Sequence, residues 1–311
     1  MFGHNTFVRT LLCLSSIIAF SQSVHAQEFR LLAWNIESSR PGQEPSSDPE
    51  TIGKELIALL KDPATRAQLV ALSEVDPKSM LTMRMSAVVG MGGEVELISS
   101  ASGGFKDSDS LALLVDKTRF DVDEAIELHR FGGIVANVNV QEEDSEDFGA
   151  LRARSPLAVR LIDKETKQTF WVIVNHLARG EADLRADQAR MLRKWAEAHD
   201  EPIIAAGDFN FDYDFHTQKG NEGFDAMFEG DTWQWVKPDP LVDSNWSQDR
   251  RITDRDVDRY PDSILDFIIV ANGAKDWKPE SDVIVREGDF PDDEKTSDHR
   301  PLIGIFHPGK N

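Results

Sequence analysis

The chain has 311 residues, with 34 Lys and Arg against 55 Asp and Glu, a formal net charge of −21 and a single cysteine. This acidic balance disfavours tight, sequence-independent nucleic-acid binding, which relies on Lys and Arg neutralising phosphates, but it leaves catalysis on phosphate open, since a bound cation reverses the local sign. The lone Cys13 excludes an intrachain disulfide and a multi-thiolate metal site, so a hydrophobic core must hold the fold.

Residues 1–26 read as a secretory signal peptide. Arg9 precedes the apolar run from Leu11 to Phe20, and Val24-His25-Ala26 forms a small-x-small cleavage site before Gln27. The run is about half of the ~20 apolar residues that span a bilayer. The expectation is export to the periplasm or the extracellular medium, no stable membrane anchor, and one domain over residues 27–311.

Beyond Gln27, strand-like and helix-like runs alternate. Phe29 to Trp34 reads as a buried strand, Thr51 to Lys61 as a helix with Ile57, Leu59 and Leu60 in its pattern, and Gln68 to Leu72 as a short strand ending at Ser73-Glu74. Pro77 to Met91 suits a helix with Pro in its first turn. Ser110–Val115, Ile134–Val140, Leu157–Ile162 and Phe170–Val174 suit strands. Asp183 to Ala198 is a helix that gathers Leu184, Met191, Leu192 and Trp195 on one face. Pro202–Ala206, Ile264–Val270 and Leu302–Phe306 complete the buried strands.

Gln141 to Asp147 is an acidic run with the character of a solvated loop. Asp231 to Pro261 is a long aperiodic stretch, uncommon in a compact domain unless it serves a purpose. Within it, Trp233 and Trp235 are expected to pack one face of an extra strand. No internal repeat is visible.

Polar clusters stand at the predicted strand ends: Asn35 with Glu37, Glu74, Asn175-His176, Asp208 with Asn210, and Asp298-His299. Asp266 interrupts the apolar run Ile264 to Ile269, where a carboxylate is costly unless paired. Glu74 and Asp298 are hard oxygen ligands suited to Mg²⁺ or Mn²⁺. His299 can act as a base near neutral pH if Asp266 orients it. Asn35 and Asn210 can steady ligands or phosphoryl oxygens without adding charge, and His176 can serve a leaving oxygen. Each has a structural alternative, such as an Asx turn at Asp208-Phe209-Asn210 or a capping role for Asn175. One metal-phosphate site explains all of them together.

The order of these motifs resembles the endonuclease/exonuclease/phosphatase superfamily, which includes pancreatic-type deoxyribonucleases, abasic-site endonucleases, neutral sphingomyelinases and inositol polyphosphate 5-phosphatases. The resemblance runs from Phe29 to Phe306. It rests on Ala33-Trp34-Asn35-Ile36-Glu37, Ala71-Leu72-Ser73-Glu74-Val75, Val174-Asn175-His176-Leu177, Gly207-Asp208-Phe209-Asn210, Leu265-Asp266-Phe267-Ile268 and Ser297-Asp298-His299-Arg300-Pro301-Leu302. Arg154-Ser155-Pro156-Leu157 is similar to a substrate-contacting segment of the deoxyribonuclease branch. Two departures stand out: Ser73 replaces the family's frequent Gln, and Ser102 to Val115 contains no Tyr to orient the phosphate.

The resemblance implies an α/β fold, a four-layer sandwich of two mostly antiparallel β-sheets flanked by helices, with the site on one rim. It implies a metal-dependent phosphoesterase in which Glu74, Asn35 and Asp298 bind Mg²⁺ or Mn²⁺. Asp208, Asn210, His299, Asp266 and His176 would be catalytic, with Asp208 and His299 taking the base and stabiliser roles in either order. Arg154 and Asn175 would contact substrate. The expected substrate is a phosphodiester, with DNA or RNA first and a sphingomyelin-like lipid or another phosphate ester second. A monomer without a protein partner is expected. The alternative of another class is a catalytically silent binding module on the same fold.

Overall fold

A computed structural model describes residues 28–38, 47–100, 110–128, 154–246, 263–287, 289 and 296–309. The signal segment 1–26, the predicted strand Ile134–Val140, the acidic run Gln141–Asp147 and residues 247–261 of the aperiodic stretch lie outside them.

The first sheet grows from the two earliest apolar runs. β1 (Phe29–Asn35) pairs parallel with β2 (Leu69–Val75), and α1 (Pro49–Lys61) connects them. Asp48 starts that helix, its carboxylate accepting the Thr51 N–H at 3.0 Å with Pro49 behind it. α2 (Met80–Met91), β3 (Val95–Ser99) and β4 (Ser110–Asp116) follow, with β4 antiparallel to both β2 and β3.

The second sheet contains β5 (Phe120–Glu127), β6 (Leu157–Asp163), β7 (Thr169–His176), β8 (Ile203–Asp214), β9 (Trp233–Trp235) and β10 (Ser263–Ala271). α3 (Ala182–Glu197) joins β7 to its parallel neighbour β8, and α4 (Glu222–Phe228) follows β8. β11 (Glu280–Val283) and β12 (Leu302–Phe306) return to the edge of the first sheet.

The strand orders are β11-β12-β1-β2-β4-β3 and β5-β6-β7-β8-β10-β9. Each sheet has one parallel pair, and its other neighbours are antiparallel, as the family resemblance implied. The two orders share one pattern of pairings, two antiparallel neighbours, a helix-linked parallel pair and two more antiparallel neighbours, but in one sheet the first pair comes from the end of the chain and in the other it leads directly into the parallel pair. The sequence conceals this shared pattern because packing demands apolar alternation, not particular residues.

Apolar side chains cover both faces of the central strands, which is why they read as continuous runs. Phe29, Leu31 and Ala33 of β1 point into a core shared with Phe170, Val172 and Val174 of β7. Leu32 and Trp34 point the other way, onto Ile52, Leu56 and Met83 of α1 and α2. Ile203 and Ala205 of β8 pack on Ala189, Leu192 and Trp195 of α3. The result is helix, sheet, sheet, helix. At the end of the inner core farthest from Asn35, Phe29 stacks on Phe170 and Phe306 at 5.3 and 5.2 Å and meets Phe120 edge-on at 5.4 Å.

Several boundaries differ from expectation. α2 begins at Met80 instead of Pro77, because a turn intervenes in which Asp76 accepts the Lys78 N–H at 2.9 Å. β8 extends to Asp214, so Asp208 and Asn210 lie inside a strand and not beyond its end. Trp233 and Trp235 do form a short extra strand packed on the outer face of the second sheet. Among the described residues, no helix is long and apolar enough to cross a membrane.

Two tests follow from this packing. Gly207 has φ +128°, and a Cβ there would sit 2.3 Å from the Asn175 carbonyl oxygen on β7. Gly207→Ala is expected to destabilise the protein by about 2–4 kcal/mol in denaturant unfolding, as substitutions that strain the backbone do. Arg160 on β6 grips Glu201 with Nε at 2.9 Å and Nη2 at 2.5 Å, and Trp171 Nε1 adds a bond at 2.8 Å. The Arg160 hydrogen bonds lower the Glu201 pKa from its ordinary 4.5. A depressed carboxylate contributes stability above its unfolded pKa and loses it as pH falls through the folded value. The melting-temperature gap between wild type and Glu201→Gln should therefore be widest above pH 4.5 and shrink at more acidic pH.

Candidate active site

The polar residues meet at one rim because the strands that carry them stop, bulge or turn there. Asn35 closes β1 opposite Ser73. The β2–β4 register then shifts between Leu72 and Val75, and Glu74, at φ +53°, turns out of the ladder. In the second sheet Asn175 lies opposite Gly207, and His176 opposite Asp208. Asp208 is also opposite Asp266 across the antiparallel β8–β10 pair. His299 arrives just before β12, where Ser297 Oγ donates to the Asn35 carbonyl at 2.5 Å and Trp34 Nε1 to the His299 carbonyl at 2.9 Å.

The Asn35 amide joins the two sheets. Its Nδ2 donates to Glu74 Oε1 at 3.2 Å and to Asp208 Oδ2 at 3.1 Å, while its Oδ1 accepts the Glu37 N–H at 3.0 Å. His176 Nε2 lies 3.3 Å from Glu74 Oε1 and 3.6 Å from Asp208 Oδ2. Arg154, at φ +59°, donates from Nη1 to His176 Nε2 at 2.6 Å and to the Leu177 carbonyl at 3.1 Å. The remaining Asp208 oxygen, Oδ1, accepts the Asn210 N–H at 2.9 Å. Asn210 Nδ2 donates to the Leu177 carbonyl at 3.0 Å, which fixes its amide beside Asp208.

His299 Nδ1 is 2.7 Å from Asp266 Oδ2, so the imidazole presents Nε2 to the site, 4.0 Å from Asp208 Oδ2 and 3.6 Å from Asp298 Oδ1. Burial disfavours its charged form, but the Asp266 and Asp298 carboxylates outweigh that and hold its pKa well above the usual imidazole range. Asp298 is itself pushed up, first by desolvation and then by Glu37 and Glu74.

Glu74, His176 and Asp208 form a group whose ligand atoms all lie within 4.8 Å of one another. The two carboxylates, drawn together on a neutral amide, are hard oxygen donors that fit a small divalent cation such as Mg²⁺ or Mn²⁺, whereas the His176 Nε2 lone pair is taken by the Arg154 N–H. Of the residues expected to bind metal, Glu74 belongs to this group, whereas Asn35 touches it through Nδ2, a donor that cannot ligate a cation, with its Oδ1 turned to the Glu37 N–H. Asp298 is grouped instead with His299 and with Glu37, whose Oε2 accepts its backbone N–H at 3.2 Å.

The catalytic candidates Asp208, Asn210, Asp266, His176 and His299 stand together with Arg154. Asn175 is fully buried, donates from Nδ2 to the Ile173 carbonyl at 3.1 Å, and leaves Oδ1 without a hydrogen-bond partner. Sequence reasoning missed Ser244, whose Oγ donates to Asp266 Oδ2 at 3.0 Å. Nothing in the stretch around it marks a site, beyond its length.

The family model described as "Endonuclease/Exonuclease/phosphatase family" matches residues 32–299. Similar solved structures include an endonuclease/exonuclease/phosphatase from Bacteroides vulgatus, with 16% identity, 91% of this chain and 100% of that chain covered, and a TM-score of 0.62. A mannosyl-6-phosphatase from Bacteroides thetaiotaomicron shares 16% identity over 89% of this chain and 98% of that chain, at TM-score 0.58. TDP2 from D. rerio, complexed with a single-strand DNA product, shares 15% identity over 90% and 99%, at TM-score 0.60. No curated protein matches. The rim of polar residues thus sits on a known scaffold, and the chain belongs to the endonuclease/exonuclease/phosphatase family of phosphoester hydrolases.

Proposed function

We propose that the chain is an exported, divalent-metal-dependent hydrolase of phosphodiesters, with nucleic acid as its first substrate class. The observation that carries this reading is the convergence of Glu74, His176 and Asp208 beside the Asp266–His299 pair. The signal-like segment 1–26 supports export. Arg154 beside His176 and the likeness to a DNA-product-bound TDP2 support a nuclease. A second reading is a phosphomonoesterase acting on a small sugar phosphate. The formal charge of −21, which repels a polyanion, favours it, and so does the likeness to a mannosyl-6-phosphatase.

Hydrolysis needs an oriented water, neutralised phosphoryl charge and a stabilised leaving oxygen. Glu74, with Asp208 beside it and both steadied by Asn35, would hold a divalent cation that supplies Lewis-acid neutralisation of the phosphate. Asp208 is locked through Oδ1 by the Asn210 N–H, so Oδ2 has a fixed direction for orienting water or accepting its proton. His299 gives its Nδ1 proton to the Asp266 hydrogen bond and offers Nε2 to a phosphoryl oxygen. One oxygen can touch both His299 Nε2 and Asp208 Oδ2 across their 4.0 Å separation. Arg154 adds a permanent positive charge for the departing side of the phosphate.

His299→Ala is expected to lower turnover of bis-p-nitrophenyl phosphate about 100- to 10,000-fold, as loss of a general acid or base does, with the circular dichroism spectrum unchanged. Near-normal turnover in that variant would remove His299 from the mechanism. Chelation with EDTA should abolish activity, and added Mg²⁺ or Mn²⁺ should restore it. Parallel assays on plasmid DNA, RNA, sphingomyelin and mannose 6-phosphate separate the substrate classes. Absence of metal-dependent turnover on all of them would leave a binding module in place of an enzyme.

A further inference from the structure

The segment after β9 does more than cross the surface. In its described part Ser244 is fully buried and Asn245 nearly so. It runs antiparallel beside the residues around His299. The Arg300 N–H donates to the Ser244 carbonyl at 2.8 Å, the Trp246 N–H donates to the Asp298 carbonyl at 2.6 Å, and Asn245 bridges to His299.

On the other side Ser244 meets an irregularity in β10. The register of β10 against β8 shifts between Ile264 and Asp266. At such a bulge the ladder is interrupted and backbone N–H groups need other partners. Ser244 Oγ supplies one, accepting from the Leu265 N–H at 3.2 Å and the Asp266 N–H at 3.4 Å. Its single proton goes to Asp266 Oδ2 at 3.0 Å, the oxygen that also holds His299 Nδ1 at 2.7 Å. A serine hydroxyl has one donor and two acceptor positions, and all three are used. The direction of the O–H bond, and with it the rotation of the Asp266 carboxylate, is therefore determined.

We propose that Ser244 is a positioning residue for the hydrolysis, fixing the Asp266 carboxylate so that Oδ2 holds the His299 imidazole with Nε2 facing the phosphate. The proposal rests on the hydrolase reading above and extends it from the Asp266–His299 pair to a chain of three. It also gives the long stretch between β9 and β10 a purpose. That stretch carries into the interior a hydroxyl that neither strand provides.

The test is a double-mutant cycle in the purified protein, with bis-p-nitrophenyl phosphate and saturating Mg²⁺. Ser244→Ala is expected to lower kcat about 10- to 100-fold, the usual effect of removing a group that orients a catalytic side chain, with little change in KM. In an Asp266→Ala background the same substitution should change kcat less than about twofold, because the group it positions is gone. Ser244→Thr, which keeps the hydroxyl, is expected to recover most of the loss. An equal loss of kcat in both backgrounds would overturn the proposal and leave Ser244 as support for the bulge alone.

A readout independent of turnover separates this failure from failure of the hydrolase reading. The His299 Nδ1–H resonance, observed by ¹⁵N-edited NMR, should move and exchange faster in Ser244→Ala. An unmoved resonance would overturn the proposal even in a protein that hydrolyses nothing. If Ser244→Ala does not fold, Ser244→Cys, of nearly equal volume and weaker hydrogen bonding, takes its place in both measurements.

Discussion

The side-chain amide of Asn35 reaches across the sandwich. It belongs to the first sheet, yet it donates to a carboxylate from each: Glu74 beside it and Asp208 opposite. Because its own oxygen is occupied by the Glu37 N–H, the amide cannot flip without losing that bond. The position of both acids, and the space left for a cation and a phosphate, depends on this neutral contact. A cationic side chain there would satisfy the acids outright and leave them nothing to offer a ligand.

The shared pattern of pairings gives the site a second level of order. Each sheet contributes one parallel pair, and in each pair an Asn lies opposite the residue just before a carboxylate: Asn35 opposite Ser73 before Glu74, and Asn175 opposite Gly207 before Asp208. In both pairs the backbone takes a positive φ at this step, at Glu74 in one and at Gly207 in the other. The two Asn side chains are used differently. Asn35 faces the site, whereas Asn175 turns back to the Ile173 carbonyl. Two similar strand–helix–strand units thus deliver the two acids from opposite sheets, with Asn35 as their common donor.

The central strands are legible in the sequence because both of their faces are buried. β1, β4, β6, β7 and β10 stand out as apolar runs with sharp ends. Elements that bury one face or less are not. β5 interleaves Asp121, Asp123 and Glu124 with its apolar residues, and α4 is only 7 residues long. β8 is half legible: the expectation stops at Ala206, because Asp208, Asn210 and Asp212 mask the buried alternation of Phe209, Phe211 and Tyr213. The candidate residues themselves are legible because acids and amides at the ends of buried runs need a reason to be there. Ser244 is not, since a serine in a polar stretch is ordinary and only the bulge in β10 makes this one matter.

The two ends of β1 hold the sheets together by different physics. At Phe29 aromatic rings from both sheets interlock, and excluding water draws the layers together. At Asn35 two carboxylates, one from each sheet, lie within 4.8 Å of one another and share a single amide donor. The sandwich is therefore closed by apolar contact at one end and by a shared hydrogen-bond donor at the other. A cation held between the two acids would tie the sheets together at this end as well, so that occupancy of the rim bears on the fold as well as on the chemistry.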